Sequence, residues 1–129
     1  MDGIKGYGEE MFEFNEESEL FEVELRGVRV VCDELFDGCE ESAKELAACY
    51  DKKLPEIAAY MLSEDIEAYY GKLSVETIVA NLKTPQIDVG RCLLTYLEHT
   101  LDDMHIIEIE FDGVLDEFLS MRPAMKSQP

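Results

Sequence analysis

Both histidines of this chain lie in one short segment, His99 to His105, which also contains two aspartates. Imidazole and carboxylate groups can together bind zinc or iron, or they can act as an oriented acid and base. Their spacing here matches no established metal-binding signature, and consecutive aspartates are also common in solvated turns. We therefore predict no metal and no other cofactor. If the segment does bind a metal, the candidate ligands are His99, Asp102, Asp103 and His105.

The cysteines are the other groups that could react, but none of them is paired in a CxxC motif. A nucleophilic cysteine needs a base such as histidine beside it, and the sequence does not place His99 or His105 next to a thiol. We interpret the cysteines as free thiols that pack like small apolar side chains. A small metal-dependent or cysteine-dependent enzyme that uses the His99–His105 segment is the alternative function. The four residues are Cys32, Cys39, Cys49 and Cys92.

An excess of carboxylates is the main functional signal in the sequence. The 129 residues carry 30 acids against 11 bases, which gives a net charge of −19. Such a surface repels nucleic acid and anionic membranes and attracts cationic partners, with faster association at low salt. The GxGxxG, GxxxxGK[ST], HExxH and GxSxG motifs are absent, so phosphate-binding loops, zinc proteases and serine hydrolases lose their main support. The composition predicts a basic protein partner.

Seven of the carboxylates are candidates for contact with that partner. The acidic turn around Gly38 lacks the order of residues that an EF-hand requires, and a helix N-terminus also favours acids of this kind. In two other stretches, glutamates alternate with apolar residues, which places the carboxylates on the solvent-facing side of half-buried strands. The candidate contact residues are Glu22, Glu24, Asp37, Glu40, Glu41, Glu108 and Glu110.

The order of patterns along the chain, strands then helices then strands, predicts a single α+β domain. Apolar alternation predicts strands over residues 11–32 and 86–121, and apolar stripes at helical spacing predict about three helices over residues 39–83. We expect an antiparallel sheet built from the N-terminal and C-terminal strands, with the central helices packed on one face. Residues 1–10 are predicted to be a flexible lead-in and residues 122–129 a frayed tail.

Two local signals predict where elements begin and end. Pro55 should start a new helix or kink the existing one, because it lacks the amide hydrogen that a helix interior needs. Asp112-Gly113 is a dipeptide that favours a tight hairpin, so the last strand should run from Val114 to Met121.

Alternation also predicts which side chains face the core. Phe12 and Phe14 should both face inward, because they alternate with Glu13. Ile87 and Val89 should form a brief strand at the edge of the sheet.

The segment LDDMHIIEIEFDG, together with the order of strands and helices over residues 19–121, resembles a group of small acidic uncharacterised bacterial domains. Some members of that group occur in immunity-protein settings. The resemblance implies a cytoplasmic binding module and assigns no catalytic residues. The first residues, Met1 to Ile4, show no secretion signal, which also favours a cytoplasmic protein.

We therefore predict a non-enzymatic acidic binding protein. Its concrete form would be an immunity or inhibitor protein that occupies a basic surface of a toxin or nuclease. A homo-oligomeric structural or assembly subunit is a further candidate function, and a homodimer would fit it.

Overall fold

The computed structural model of the protein describes residues 11–64 and 66–125. The predicted lead-in over residues 1–10 lies outside the described residues, and so do residues 126–129 of the predicted tail. Within the described residues, seven strands form one sheet and three helices lie between its third and fourth strands. The elements are β1 (Glu13–Asn15), β2 (Leu20–Leu25), β3 (Val28–Cys32), α1 (Cys39–Ser63), α2 (Glu67–Tyr70), α3 (Val75–Leu82), β4 (Gln86–Asp88), β5 (Leu93–Tyr96), β6 (His105–Asp112) and β7 (Glu117–Met125).

The strands lie side by side in their order along the chain. Neighbouring strands are antiparallel except β3 and β4, which run parallel. The predicted α+β class is confirmed, and the sheet is mostly antiparallel, as predicted, except for the parallel pair β3 and β4. A parallel neighbour requires a long crossover connection, and the three helices between β3 and β4 provide it. Strand β4 is therefore internal and not an edge strand; in the described sheet the edges are β1 and β7.

One face of the sheet, which we call the core face, is apolar and contacts helix α1. The hydroxyl groups of Tyr50 on α1 and Tyr96 on β5 are 2.5 Å apart, and the rings of Tyr60 and Phe118 are 5.4 Å apart. These contacts join the middle and the end of the helix to opposite ends of the C-terminal strands. A row of four side chains with no exposed surface crosses this face in register, namely Val30, Ile87, Leu94 and Ile109.

Helix α1 runs without interruption from Cys39 to Ser63, with Pro55 inside it. A new helix does not start at Pro55, because apolar burial continues on both sides of the proline: Tyr50 precedes it, and Ile57 and Met61 follow it. Packing of this face stabilises the helix where one backbone hydrogen bond is missing. Neither α1 nor the shorter helices of the described residues combine the length and apolar character needed to span a membrane.

The hairpin between β6 and β7 has a longer turn than the sequence predicts. Strand β7 begins at Glu117, whereas the dipeptide signal predicts Val114. Leu115 explains the difference, because it is fully buried and takes a positive φ of 57°, so the turn folds inward around it. The strand then extends to Met125, so residues 122–125 belong to the sheet and not to a frayed tail.

Candidate functional site

The face of the sheet opposite the core face, which we call the second face, carries the strand carboxylates predicted to contact a partner. Strand register places them in two rows that cross the sheet. Residues far apart in sequence thereby become cross-strand neighbours. One row contains Glu13, Glu22, Val31, Asp88, Leu93, Glu110 and Ser120, and the other contains Glu24, Arg29, Gln86, Thr95, Glu108 and Arg122.

At the β6–β7 end of these rows, the carboxylates are already bound within the protein. Arg122 Nε donates to Glu108 at 2.9 Å, and the two side chains form an ion pair. The Ser120 hydroxyl donates to Glu110 at 2.5 Å. Glu108 already has a cation partner and gains little from a further one on the surface; Glu110 has only a hydroxyl partner, as Glu22 has in Ser18, which donates to it at 2.9 Å. Glu108 and Glu110 thus lie on the predicted face, but residues of β7 engage them.

At the β1–β2 end, the second face forms an open groove of about 670 Å³, which we call the acidic groove. Glu13 lies directly opposite Glu22 in the strand register, and like charges at such positions repel each other. Among the described residues, Glu13 and Glu24 have no cation within 4.0 Å. Arg29 also lines the groove, but its guanidinium lies 3.8 Å from Glu98. The lining carboxylates are Glu13, Glu16, Glu17, Glu22 and Glu24.

An exposed aromatic ring borders the acidic groove. Phe14 is 52% exposed, so the prediction that it faces inward with Phe12 is wrong. Strand β1 is an edge of the described sheet, and no further strand covers this ring there. The ring packs edge-on against Phe21, with 5.2 Å between centroids. A cationic side chain can bind the face of such a ring.

Asp37, Glu40 and Glu41, the other predicted contact residues, do not line the acidic groove. Glu40 and Glu41 occupy the first turn of α1, directly after Gly38. Carboxylates are stabilised there by the helix dipole. Their placement fits the interpretation of this stretch as a helix N-terminus.

The histidine segment forms the connection between β5 and β6, and His99 is its buried centre. The His99 side chain has no exposed surface, and the backbone amide of Leu101 donates to its Nδ1 at 3.1 Å. Nε2 therefore carries the ring hydrogen and donates to the carbonyl of His105 at 2.7 Å. Both nitrogens of His99 are engaged with backbone groups, so the ring holds the connection in shape.

Asp102 caps the same turn. Its Oδ1 accepts hydrogen bonds from the backbone amides of Met104 and His105, at 3.3 and 3.1 Å, and its Oδ2 accepts one from His105 Nδ1 at 2.7 Å. Burial disfavours ionisation of this carboxyl, but the hydrogen bonds from His105 outweigh it and hold the pKa of Asp102 below its ordinary value of 3.8. Asp103 is exposed. In residues 11–64 and 66–125, no group of three or more His, Cys, Asp or Glu side chains is arranged to hold a metal ion.

Replacing Asp102 with asparagine should lower the free energy of unfolding by about 1 kcal/mol at pH 7, because a charge-assisted hydrogen bond is lost. The folded-state pKa of Asp102 is depressed, so its stabilising effect is present above the unfolded-state pKa and is lost as pH falls through the folded-state value. Urea unfolding of the wild type and of Asp102→Asn at pH 7 and pH 3 measures this. The difference in unfolding free energy between the wild type and the variant should be smaller at pH 3 than at pH 7. An equal difference at both pH values would contradict the stabilising role of the ionised Asp102 carboxylate.

The environments of Cys32, Cys49 and Cys92 oppose a nucleophilic role. Burial raises the pKa of Cys32 to about 11, and the nearby Cys39, Asp88 and Asp33 raise it further. Burial also raises the pKa values of Cys49 and Cys92. A nucleophilic cysteine requires the opposite shift, because the thiolate is the reactive form.

Sequence reasoning missed that Phe14 is exposed beside the acidic groove and that Arg122 lies on the second face. The sequence does not reveal that β1 is an edge strand, which is what leaves Phe14 exposed. A signal for Arg122 was present, because the alternation of Ser120, Met121 and Arg122 continues the period of two past the predicted strand end.

Comparison of the chain with protein-family models, with curated proteins and with solved structures found no match. The resemblance to immunity-protein-like domains therefore stays a prediction. Function has to be inferred from the arrangement of the residues themselves.

Proposed function

We propose that this protein is a non-enzymatic binding protein whose acidic groove receives a basic segment of a partner protein. One observation carries the proposal: five carboxylates and an exposed phenylalanine line the groove, against a single arginine. A lysine or arginine side chain that enters it gains attraction to several glutamates and a cation–π contact with Phe14. Nucleic acid and anionic membranes are not expected as partners, because the same charge repels them.

The pairing of Glu13 with Glu22 supports a binding role. Two like charges directly opposite each other weaken the β1–β2 ladder. Local features that lower stability are often kept at sites where function needs them. A cationic group placed between these two carboxylates replaces repulsion with attraction, so binding should stabilise the edge of the sheet.

The net charge of −19 adds long-range steering to this local complementarity. Steered association is fast at low ionic strength and slows as salt screens the charges. The concrete form we propose is a cytoplasmic immunity or inhibitor protein that covers the basic, nucleic-acid-binding surface of a toxin or nuclease. The second face is open at its β1–β2 end, which leaves the acidic groove accessible to that partner.

An octa-arginine peptide is a suitable probe, because it presents the proposed chemistry without a fold of its own. The groove variant carries Glu13→Lys, Glu22→Lys and Glu24→Lys. The matched control carries Glu34→Lys, Glu45→Lys and Glu117→Lys, which are exposed carboxylates outside the acidic groove. Both variants change the net charge equally. The groove variant also keeps two like charges opposite each other at positions 13 and 22, so the repulsion between β1 and β2 is the same as in the wild type.

Affinity measured by calorimetry should fall by about tenfold or more in the groove variant, which corresponds to about 0.5 kcal/mol for each reversed contact. The affinity of the control variant should fall less, because only its net charge has changed. The salt dependence of the association rate should also become shallower in the groove variant. Equal losses in the two variants would show that the groove is not the binding site.

A second observation favours an alternative function, that of a homo-oligomeric subunit. Strand β7 is an edge of the described sheet, and Leu119 and Met125 on it are 58% and 62% exposed. An exposed edge with apolar side chains can pair with another copy of the chain. Light scattering of the unmodified protein decides between the candidates: a stable dimer favours the subunit, and a monomer favours the inhibitor.

A further inference from the structure

A second cavity, of about 350 Å³, opens at the turn between β2 and β3 and is separate from the acidic groove. Helix α1, helix α3 and the segment that follows α3 form its walls. Its lining combines apolar side chains with a few charged ones, as in small-molecule sites of this size. The residues that matter here are Arg26, Tyr50, Leu54, Val79, Leu82 and Lys83.

Two cations flank this cavity although the protein is strongly acidic. Arg26 and Lys83 are both exposed, and among the described residues neither has a carboxylate within 4.0 Å. Asp51 is the carboxylate among the residues that line the cavity. The lining therefore carries a net charge of +1 from these three side chains, in a chain whose total charge is −19. A monoanion is the ligand that this charge favours.

Both cations occur where the backbone disfavours them. Arg26 has a φ of 53° in a two-residue turn, a position where Asn, Asp or Gly is usual. Lys83 follows α3 with φ 62° and ψ −148°, close to a region that glycine almost alone adopts. Strained residues of this kind are enriched at ligand sites, because only a gain elsewhere compensates for the strain.

We propose that this cavity binds a small monocarboxylate with an apolar body. The apolar portion would rest on the half-buried Leu54 and Val79, and the carboxylate would lie between the guanidinium of Arg26 and the ammonium of Lys83. The carboxylate of Asp51, which also lines the cavity, disfavours a second negative charge, so a dicarboxylate binds less well. This site is independent of the acidic groove.

Octanoate is the probe, with octylamine as the ligand of opposite charge. The site variant combines Arg26→Gln with Lys83→Gln. The matched control combines Lys44→Gln with Lys52→Gln, two exposed lysines of α1 that do not line the cavity. Calorimetry and amide chemical shifts measure binding. Octanoate should shift the amides of α3 and of the β2–β3 turn, and its affinity should fall tenfold or more in the site variant and less than twofold in the control.

Two outcomes would overturn the proposal. If both variants bind octanoate equally, the cations do not form the site. If octylamine shifts the amides of α3 as strongly as octanoate does, the cavity is only an apolar surface; octylamine bound in the acidic groove leaves those amides unshifted. The variant with lysines at positions 13, 22 and 24 should retain octanoate binding, which separates this inference from the proposal on the acidic groove.

A single substitution, Lys83→Gly, provides a second readout. Glycine relieves the positive φ and removes one cation, so the unfolding temperature should rise while the affinity for octanoate falls. A merely structural lysine would change the unfolding temperature without changing octanoate affinity, and that result would contradict the proposal.

Discussion

A Pro55→Ala variant should be more stable than the wild type by about 1 to 3 kcal/mol. Pro55 lies inside the 25-residue helix α1, so the carbonyl of Asp51 lacks its usual amide partner. Alanine restores that amide and removes the clash of the proline ring with the preceding turn. Part of the gain is offset, because alanine also makes the unfolded chain more flexible. Urea unfolding followed by helical circular dichroism measures the change.

Ala48→Pro is the matched control for this substitution. Ala48 is exposed and lies in the interior of the same helix. A proline there should lower stability by about 3 kcal/mol, because no neighbouring residue has adapted to it. A Pro55→Ala variant that is less stable than the wild type would show that the proline contributes contacts which outweigh the missing hydrogen bond.

Removing the hydroxyl of Tyr50 should lower the free energy of unfolding by about 1 to 3 kcal/mol, because the Tyr96 hydroxyl then loses its hydrogen-bond partner. Tyr96 has no exposed surface, whereas Tyr50 is 5% exposed and also lines the cavity beside α3. We therefore expect Tyr96→Phe to be milder, because the Tyr50 hydroxyl that it leaves is nearer to solvent. The double variant should lose less unfolding free energy than the two single variants lose in sum.

Alkaline titration gives an independent check of the tyrosine pair. Burial raises the pKa of Tyr50 to about 12 from 10.0, and burial also raises the pKa of Tyr96. Because the folded-state pKa values are raised, the stability they contribute is present below pH 10 and is lost as pH rises through the folded-state values. The double phenylalanine variant should lose less stability than the wild type above pH 10. The coupling of the pair would be contradicted if the unfolding free energies lost in the two single variants add up in the double variant, and if the double variant loses as much stability above pH 10 as the wild type.

The β2–β3 hairpin belongs to both proposed binding regions. Glu24 and Arg29 line the acidic groove on the second face, and Arg26, in the turn between them, lines the cavity beside α3. A short element can serve two surfaces in this way because neighbouring positions of a hairpin face different directions. The experiments on the two regions use different residues and different probes, so their results remain separable.

The sequence by itself determined the features that depend on residues close together in the chain. Alternation identified β2 and β6, helical spacing identified the helical region between residues 39 and 83, and the excess of acids predicted a surface suited to cations. These signals are local, because a period of 2 or 3.6 residues reports the burial of one face whatever that face packs against.

Only the tertiary structure decided which residues meet. The parallel pairing of β3 with β4 depends on where the helices return the chain. The exposure of Phe14 depends on β1 being an edge strand, and the inward turn at Leu115 depends on a core that lies far away in sequence. Pairing, register and burial are collective properties of distant segments, and their free energies outweigh local preferences such as those of Pro55 and Asp112-Gly113. The net charge could therefore be predicted from the sequence. Only the fold shows that the carboxylates on β6 are engaged by neighbouring side chains, whereas those at β1–β2 line the acidic groove.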